Sequence, residues 1–247
     1  MRAMLPVSAR LSSSRGRIGM ATPSRALTTT RESLHRLCEH VVSPARHAVT
    51  GRIGLRPAPC GVRTPPFGDD DRVVEVDGAE LVVRDRAGER RTTVTTLRAA
   101  GDFVGVPPGA PADVYHPATP CDLDAPLALD PGAMKALADC YDVAASALAA
   151  LSARIPDDEP TEAQLWPEHL DLAISAAWVN YGVSPGDDAM PEPYAYVGPH
   201  GGPPSDDPFW NAPFGAARPM STIHSADELA EFFLAGRSLA GPTTREE

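Results

Sequence analysis

In LWPEHLDLA, residues 165–173, His169 and Asp171 stand two positions apart. If the segment is extended, alternation puts both side chains on one side, with α-carbons roughly 6.5–7 Å apart at a rise of about 3.3 Å per residue. A histidine beside a carboxylate is the smallest set that can do general acid–base work or supply two metal ligands. Further on, Glu192, Tyr194 and Tyr196 alternate along EPYAY, and an antiparallel meander would lay that face beside the first. His169, Asp171 and Glu192 are therefore the candidate catalytic residues, with His35 or His200 as additions. The plainer alternative is a His–Asp hydrogen bond on a half-exposed sheet face. The residues specify neither a metal nor a cofactor.

A second chemistry is recognition without catalysis. Trp166, Tyr181, Tyr194, Tyr196 and Trp210 concentrate in the same third of the chain and could wall a pocket for a small molecule. The same rings on a flat surface would instead make a homodimer interface.

Other motifs fail on physical grounds. GVSPG, residues 182–186, spells G-x-S-x-G, but a nucleophile elbow needs the backbone N–H after the serine for its oxyanion hole, and Pro185 has none. Asp187, Asp188 and Glu192 match no EF-hand spacing and read as solvated turn residues. Glu32, His35 and Glu39 give a single E-x-x-H, whereas di-iron bundles need it on two helices. HRLCEH misses the helical zinc spacings, so this reads as a polar helix face. No dinucleotide or P-loop glycine pattern occurs.

Composition narrows the partners. The formal charge of -11 is uneven: residues 1–31 hold six Arg and no acid, which leaves 16 basic against 33 acidic residues in the rest. A body that acidic repels phosphate backbones and argues against nucleic acid. Lys135 is the only lysine beside 21 Arg, the bias of a GC-rich bacterial genome. Cys38, Cys60, Cys121 and Cys140 form no C-x-x-C pair and follow no secretory signal, so free thiols in the cytoplasm are expected. No unbroken apolar run reaches the ~18 residues of a membrane span. The Arg- and Ser-rich opening superficially resembles a transit peptide but reads better as a disordered extension, or as a start upstream of Met20.

The elements that must position these residues are legible in part. A helix is predicted from a Thr29/Glu32 capping box to Gly51, kinked or re-capped at Pro44. Strands follow over 52–98, with Asp77-Gly78 suited to a type I′ turn and another turn near Ala87-Gly88. Residues 101–128 read as a Pro-rich connection. Asp130-Pro131 opens a second helix, and Ser225 with Glu228 caps a third. Residues 165–178 fit a helix opening at Pro167-Glu168 with Leu170, Ile174, Ala177, Trp178 and Tyr181 as its stripe, but strand-like neighbours favour one strand, with Trp166, Leu170, Leu172, Ile174 and Trp178 on its core face. Pro185-Gly186 fits a type II turn. The 27 Pro and 20 Gly imply many wrapping loops.

LWPEHLDLA, NYGVSPGDD, EPYAYVGP, FWNAPFG and TGRIGLR together resemble an actinobacterial protein family of unknown function, over most of residues 30–240. The resemblance implies no catalytic role for any residue; it supports a cytoplasmic location. The expected architecture is a single α+β domain over residues 29–241, mostly antiparallel sheet with about three packed helices and Pro-rich wrapping loops. Disordered segments are expected at 1–28 and 242–247. The expected function is a cytoplasmic small-molecule enzyme, with a ligand-binding module or a dimerising structural protein as alternatives.

Overall fold

The structure is a computed structural model that describes residues 24–241. The expected disorder of the N-terminal arm and the C-terminal tail lies outside those residues, except at 24–28. There the chain is already ordered: helix α1 spans Arg25–Leu37, and the Ser24 hydroxyl accepts the Leu27 N–H. The Thr29/Glu32 box is therefore not the start, because Ser24 supplies the same cap one turn earlier.

The helix continues as a π-helical turn, Cys38–Val42, and then as α2, Ser43–Thr50, which Gly51 ends in the left-handed region. Pro44 explains the π turn. Its ring would clash with the carbonyl four residues back, and it has no N–H to offer that carbonyl. The ladder widens instead, so the Ser43 N–H reaches Cys38 O, and the released His40 carbonyl accepts from Gly109 at 2.9 Å.

The next segment is a five-stranded antiparallel meander: β1 Arg56–Ala58, β2 Gly61–Arg63, β3 Val73–Asp77, β4 Glu80–Asp85 and β5 Gly88–Thr93, paired in that order. Asp77 pairs with Glu80, so the β3–β4 turn centres on Gly78-Ala79. Gly78 has φ +60° while Ala79 keeps negative φ; the turn is type II′ where the sequence predicted type I′. A short helix follows, α3 Leu97–Val104, inside what was read as strand end and Pro-rich connection. It is capped by Thr96 and packs Leu97, Ala100 and Val104 inward.

Helix α4, Pro131–Arg154, starts as expected, with the Asp130 carboxylate accepting the Ala133 N–H and Pro131 at the first helical position. By length and composition it could cross a membrane. Here it is the central core helix, with Met134, Leu137, Tyr141, Leu148 and Leu151 buried and both sheets packed on it.

A second meander follows: β6 Gln164–Trp166, β7 Asp171–Ala176, β8 Val179–Ser184, β9 Tyr194–Pro199 and β10 Ala216–Pro219. Its inner face carries Leu172, Ile174, Tyr181, Val183, Ala195 and Val197 in the core, against α4 and the last helix, α5 Ala226–Ala240. Ser225 caps α5 as predicted, but Glu228 reaches back to the His224 N–H. The meanders meet at their first strands, where Leu55 and Leu165 exchange backbone hydrogen bonds of 2.8 and 3.0 Å. The result is one α+β fold, with the first helix broken near Pro44 as expected and α3 added to the helices expected.

The strand predicted over 165–178 is broken twice. Residues 167–170 form the β6–β7 turn, and Ala177-Trp178 form the β7–β8 turn with φ of 46° and 64°. Two consecutive positive φ values make this a type I′ hairpin without the usual Asn or Gly. Trp178, read as core, is 48% exposed and meets His200 edge-on. Because an L side chain costs about 1–2 kcal/mol in the left-handed region and Asn tolerates it better, Ala177→Asn is expected to raise stability by about 0.5–1 kcal/mol. Urea denaturation measures this, and a loss would show that the Ala177 methyl matters more than its backbone angle.

Candidate functional site

The β6–β7 hairpin determines where His169 and Asp171 stand. Trp166 pairs with Asp171, leaving Pro167-Glu168-His169-Leu170 as the loop. Leu170 closes it at φ +54°, with its N–H on Trp166 O at 2.7 Å and its carbonyl accepting the buried Tyr141 hydroxyl at 2.6 Å. His169 is exposed in the loop, while Asp171 opens β7 and is buried. They act on each other electrostatically, but not as the two same-face neighbours of one strand that the sequence predicted.

Asp171 points to the sheet face opposite Leu172, and there the Tyr196 hydroxyl donates to its Oδ2. Tyr196 reaches it by lying across Gly182, its direct cross-strand partner. A Cβ at Gly182 would come within 2.7–2.8 Å of the ring and hydroxyl. Gly182→Ala should therefore cost about 1–3 kcal/mol through overpacking and nearly nothing in a Tyr196→Ala background. Equal costs in the two backgrounds, in a double-mutant cycle by chemical denaturation, would refute this coupling.

Burial pushes the Asp171 carboxyl above the usual range, with Tyr196 and His169 opposing. Its Oδ1 is buried and has no hydrogen-bond partner from the protein. Glu168, three residues earlier, is also raised, by burial first and then by Asp171 and Glu39, and its Oε2 is likewise without a partner.

The first helix faces this loop. Burial lowers the His35 pKa, with His169 adding to the depression and Glu39 and the Glu168 and Pro167 backbone opposing it. The His35 Nε2 has no partner, nor does the buried Tyr115 hydroxyl, whose pKa rises through burial and the nearby Glu39 and Glu168. Glu39 is fully buried within the π turn. It accepts the Ala118 and Thr119 N–H groups at 2.8 Å each and the Thr119 hydroxyl at 2.5 Å. The polar helix face read from the sequence is therefore solvated at Glu32 but interior at Glu39, which clamps the wrapping loop.

The remaining expected residues go elsewhere. Glu192 accepts from the Ser221 hydroxyl at 2.7 Å and does not join Asp171. Asp187 accepts from the Tyr194 hydroxyl at 2.6 Å and from its own turn at Ala189 and Met190. Burial works against its ionisation, but these donors hold its pKa below the usual range. Ser184 Oγ accepts the Gly186 N–H at 3.1 Å, as a turn residue would. His200 stands near Asn180, 3.3 Å from its Oδ1, at the other end of β8. The five aromatics are divided by the sheet. Tyr181 lies on the inner face against Phe233, and Trp210 meets Phe209 beside α5, whereas Tyr194 and Tyr196 gather with Phe214 on the outer face and Trp166 pairs with Asp171.

Sequence reasoning missed Glu168 and Tyr115. Glu168 adjoined the chosen histidine but lay inside a segment read as one strand, where alternation put it on the other side from His169 and Asp171; Tyr115 lay in a segment taken as connection. Among the described residues no three His, Cys, Asp or Glu side chains are placed to hold a metal. What the arrangement offers is a histidine whose protonation burial disfavours and two carboxyls whose ionisation burial disfavours, within electrostatic reach of one another. No family model, curated protein or solved structure matches the chain.

Proposed function

We propose that the junction between the first helix and the β6–β7 loop is an acid–base site for a small polar molecule. One observation carries this: four buried polar atoms, His35 Nε2, Tyr115 Oη, Glu168 Oε2 and Asp171 Oδ1, lie on adjoining segments without a protein partner. Leaving such groups unsatisfied costs about 1–3 kcal/mol each, a cost that folding alone does not require. Asp171, positioned by Tyr196, would donate a proton, His35 would accept one, and His169 at the exposed rim would relay protons to solvent. The four free cysteines, two of them buried, support a cytoplasmic setting, and the acidic body supports a small molecule over nucleic acid as the partner.

The test pairs His35→Gln and Asp171→Asn with wild type in thermal denaturation and in a ligand-observed NMR screen of small polar metabolites. A site retained for function gives variants at least as stable as wild type that lose the wild-type hits. Losses above about 2 kcal/mol in both variants, with every hit retained, would mark the cluster as structural.

A further inference from the structure

On the opposite side of β7 from Asp171 lies a cleft of about 570 Å³, between the β1–β2 hairpin and α4. Its size falls in the range of small-ligand pockets. Arg56 and Arg63 line it and pair directly across the two strands. Like charges directly opposite each other in a sheet repel; Glu75 of β3 lies opposite Arg63 on the other side, but its carboxylate is bonded by Arg84. Arg56 is partly satisfied, by Glu162 and the Ala163 carbonyl. The Arg63 guanidinium has no side-chain partner among the described residues, although the protein carries eleven more acidic than basic charges.

Across the cleft stands Asp142, on the face of α4 that turns Met134 toward Gly61 of β2. Its carboxylate also has no hydrogen-bond or ion-pair partner among the described residues. The rest of the lining is mainly apolar, with Pro57, Pro65, Pro66, Val73 and Ala145 around Thr64 and the core residue Leu172 behind them. We infer that this cleft binds a free α-amino acid with an apolar side chain. The planar fork of Arg63, beside Arg56, takes the carboxylate in the two-point geometry that suits guanidinium. Asp142 takes the ammonium, and the side chain lies on the proline and aliphatic wall. One cationic and one anionic wall select a zwitterion over a simple anion, which Asp142 would repel, and over an amine, which the two arginines would repel. This binding is separate from the proposed acid–base chemistry, because the β7 backbone divides Leu172 from Asp171.

Isothermal titration of the full chain with L-leucine and L-phenylalanine tests the inference, with leucinamide and 4-methylpentanoate as probes lacking one charge each. Arg63→Gln and Asp142→Asn are the variants; both residues lie at the cleft surface, and unchanged melting without ligand verifies their folding. The expected result is saturable binding of at least one amino acid, weakened at least tenfold by removing either ligand charge and at least tenfold by either variant. No binding of leucine or phenylalanine at 10-fold excess over millimolar protein would overturn it. So would 4-methylpentanoate binding as well as leucine, or affinities that both variants leave unchanged.

Discussion

Replacing Glu39 by alanine is expected to lower folding stability by about 2–4 kcal/mol, because two backbone N–H groups and a hydroxyl lose a charged acceptor at once. The Glu39 carboxylate takes the Ala118 and Thr119 N–H groups and the Thr119 hydroxyl, and only the hydroxyl has another neighbour, His40 Nε2 at 3.1 Å. Glu39→Gln should fall between alanine and wild type, since its amide keeps one acceptor oxygen and turns an N–H₂ toward a donor. Urea denaturation at neutral pH measures both, and amide exchange at 118–119 should accelerate in both variants. A loss below about 1 kcal/mol for alanine would show that water replaces the carboxylate and that the loop is not clamped.

The second large effect is a pH dependence. The folded Asp171 carboxyl binds its proton more tightly than the unfolded one, whose pKa is about 3.9. Between the two values the folded state holds more protons, so stability is greatest below the unfolded pKa and falls as the pH rises through the folded one. Asp171→Asn removes that fall: the variant should match or trail wild type near pH 4 and gain on it up to pH 8. The gain is about 1.4 kcal/mol for each unit of raised pKa. His35 works in the other direction. Its folded pKa is depressed, so its contribution is full above about pH 6.5 and lost as the pH falls through the folded value; His35→Gln should flatten the acid side only. Glu168, His169 and Tyr196 share the surroundings of Asp171, so the difference between variant and wild type is the meaningful quantity. A difference independent of pH would mean that Asp171 titrates normally.

The legible parts of the fold were those written in turn and cap residues. Asp130-Pro131, Ser225 and Gly78 each name a backbone conformation, and each holds its element in place. The breaks at Leu170 and Ala177-Trp178 were invisible because those side chains advertise burial, while tertiary packing forces their backbones to positive φ. Helix α3 was too short for periodicity to register. At the site, Asp171 and Tyr196 could be placed on one face by counting alternate residues, and the register brings them together. Glu39 could not be recognised, since a glutamate on a helix reads as solvated until a distant loop covers it. The five aromatics were grouped by density in sequence, yet alternation across a single sheet sends neighbours to opposite sides.

The proline in the first helix has a kinetic consequence. By surrendering the His40 carbonyl to Gly109, the π turn completes its own bonding with an amide from the wrapping loop. That amide exchanges with solvent when the loop and the helix part, so its protection reports how firmly the loop is docked. Gly109 should therefore be protected longer than the irregular segment's solvent-facing amides, and its exchange marks the undocking of that segment from the helix.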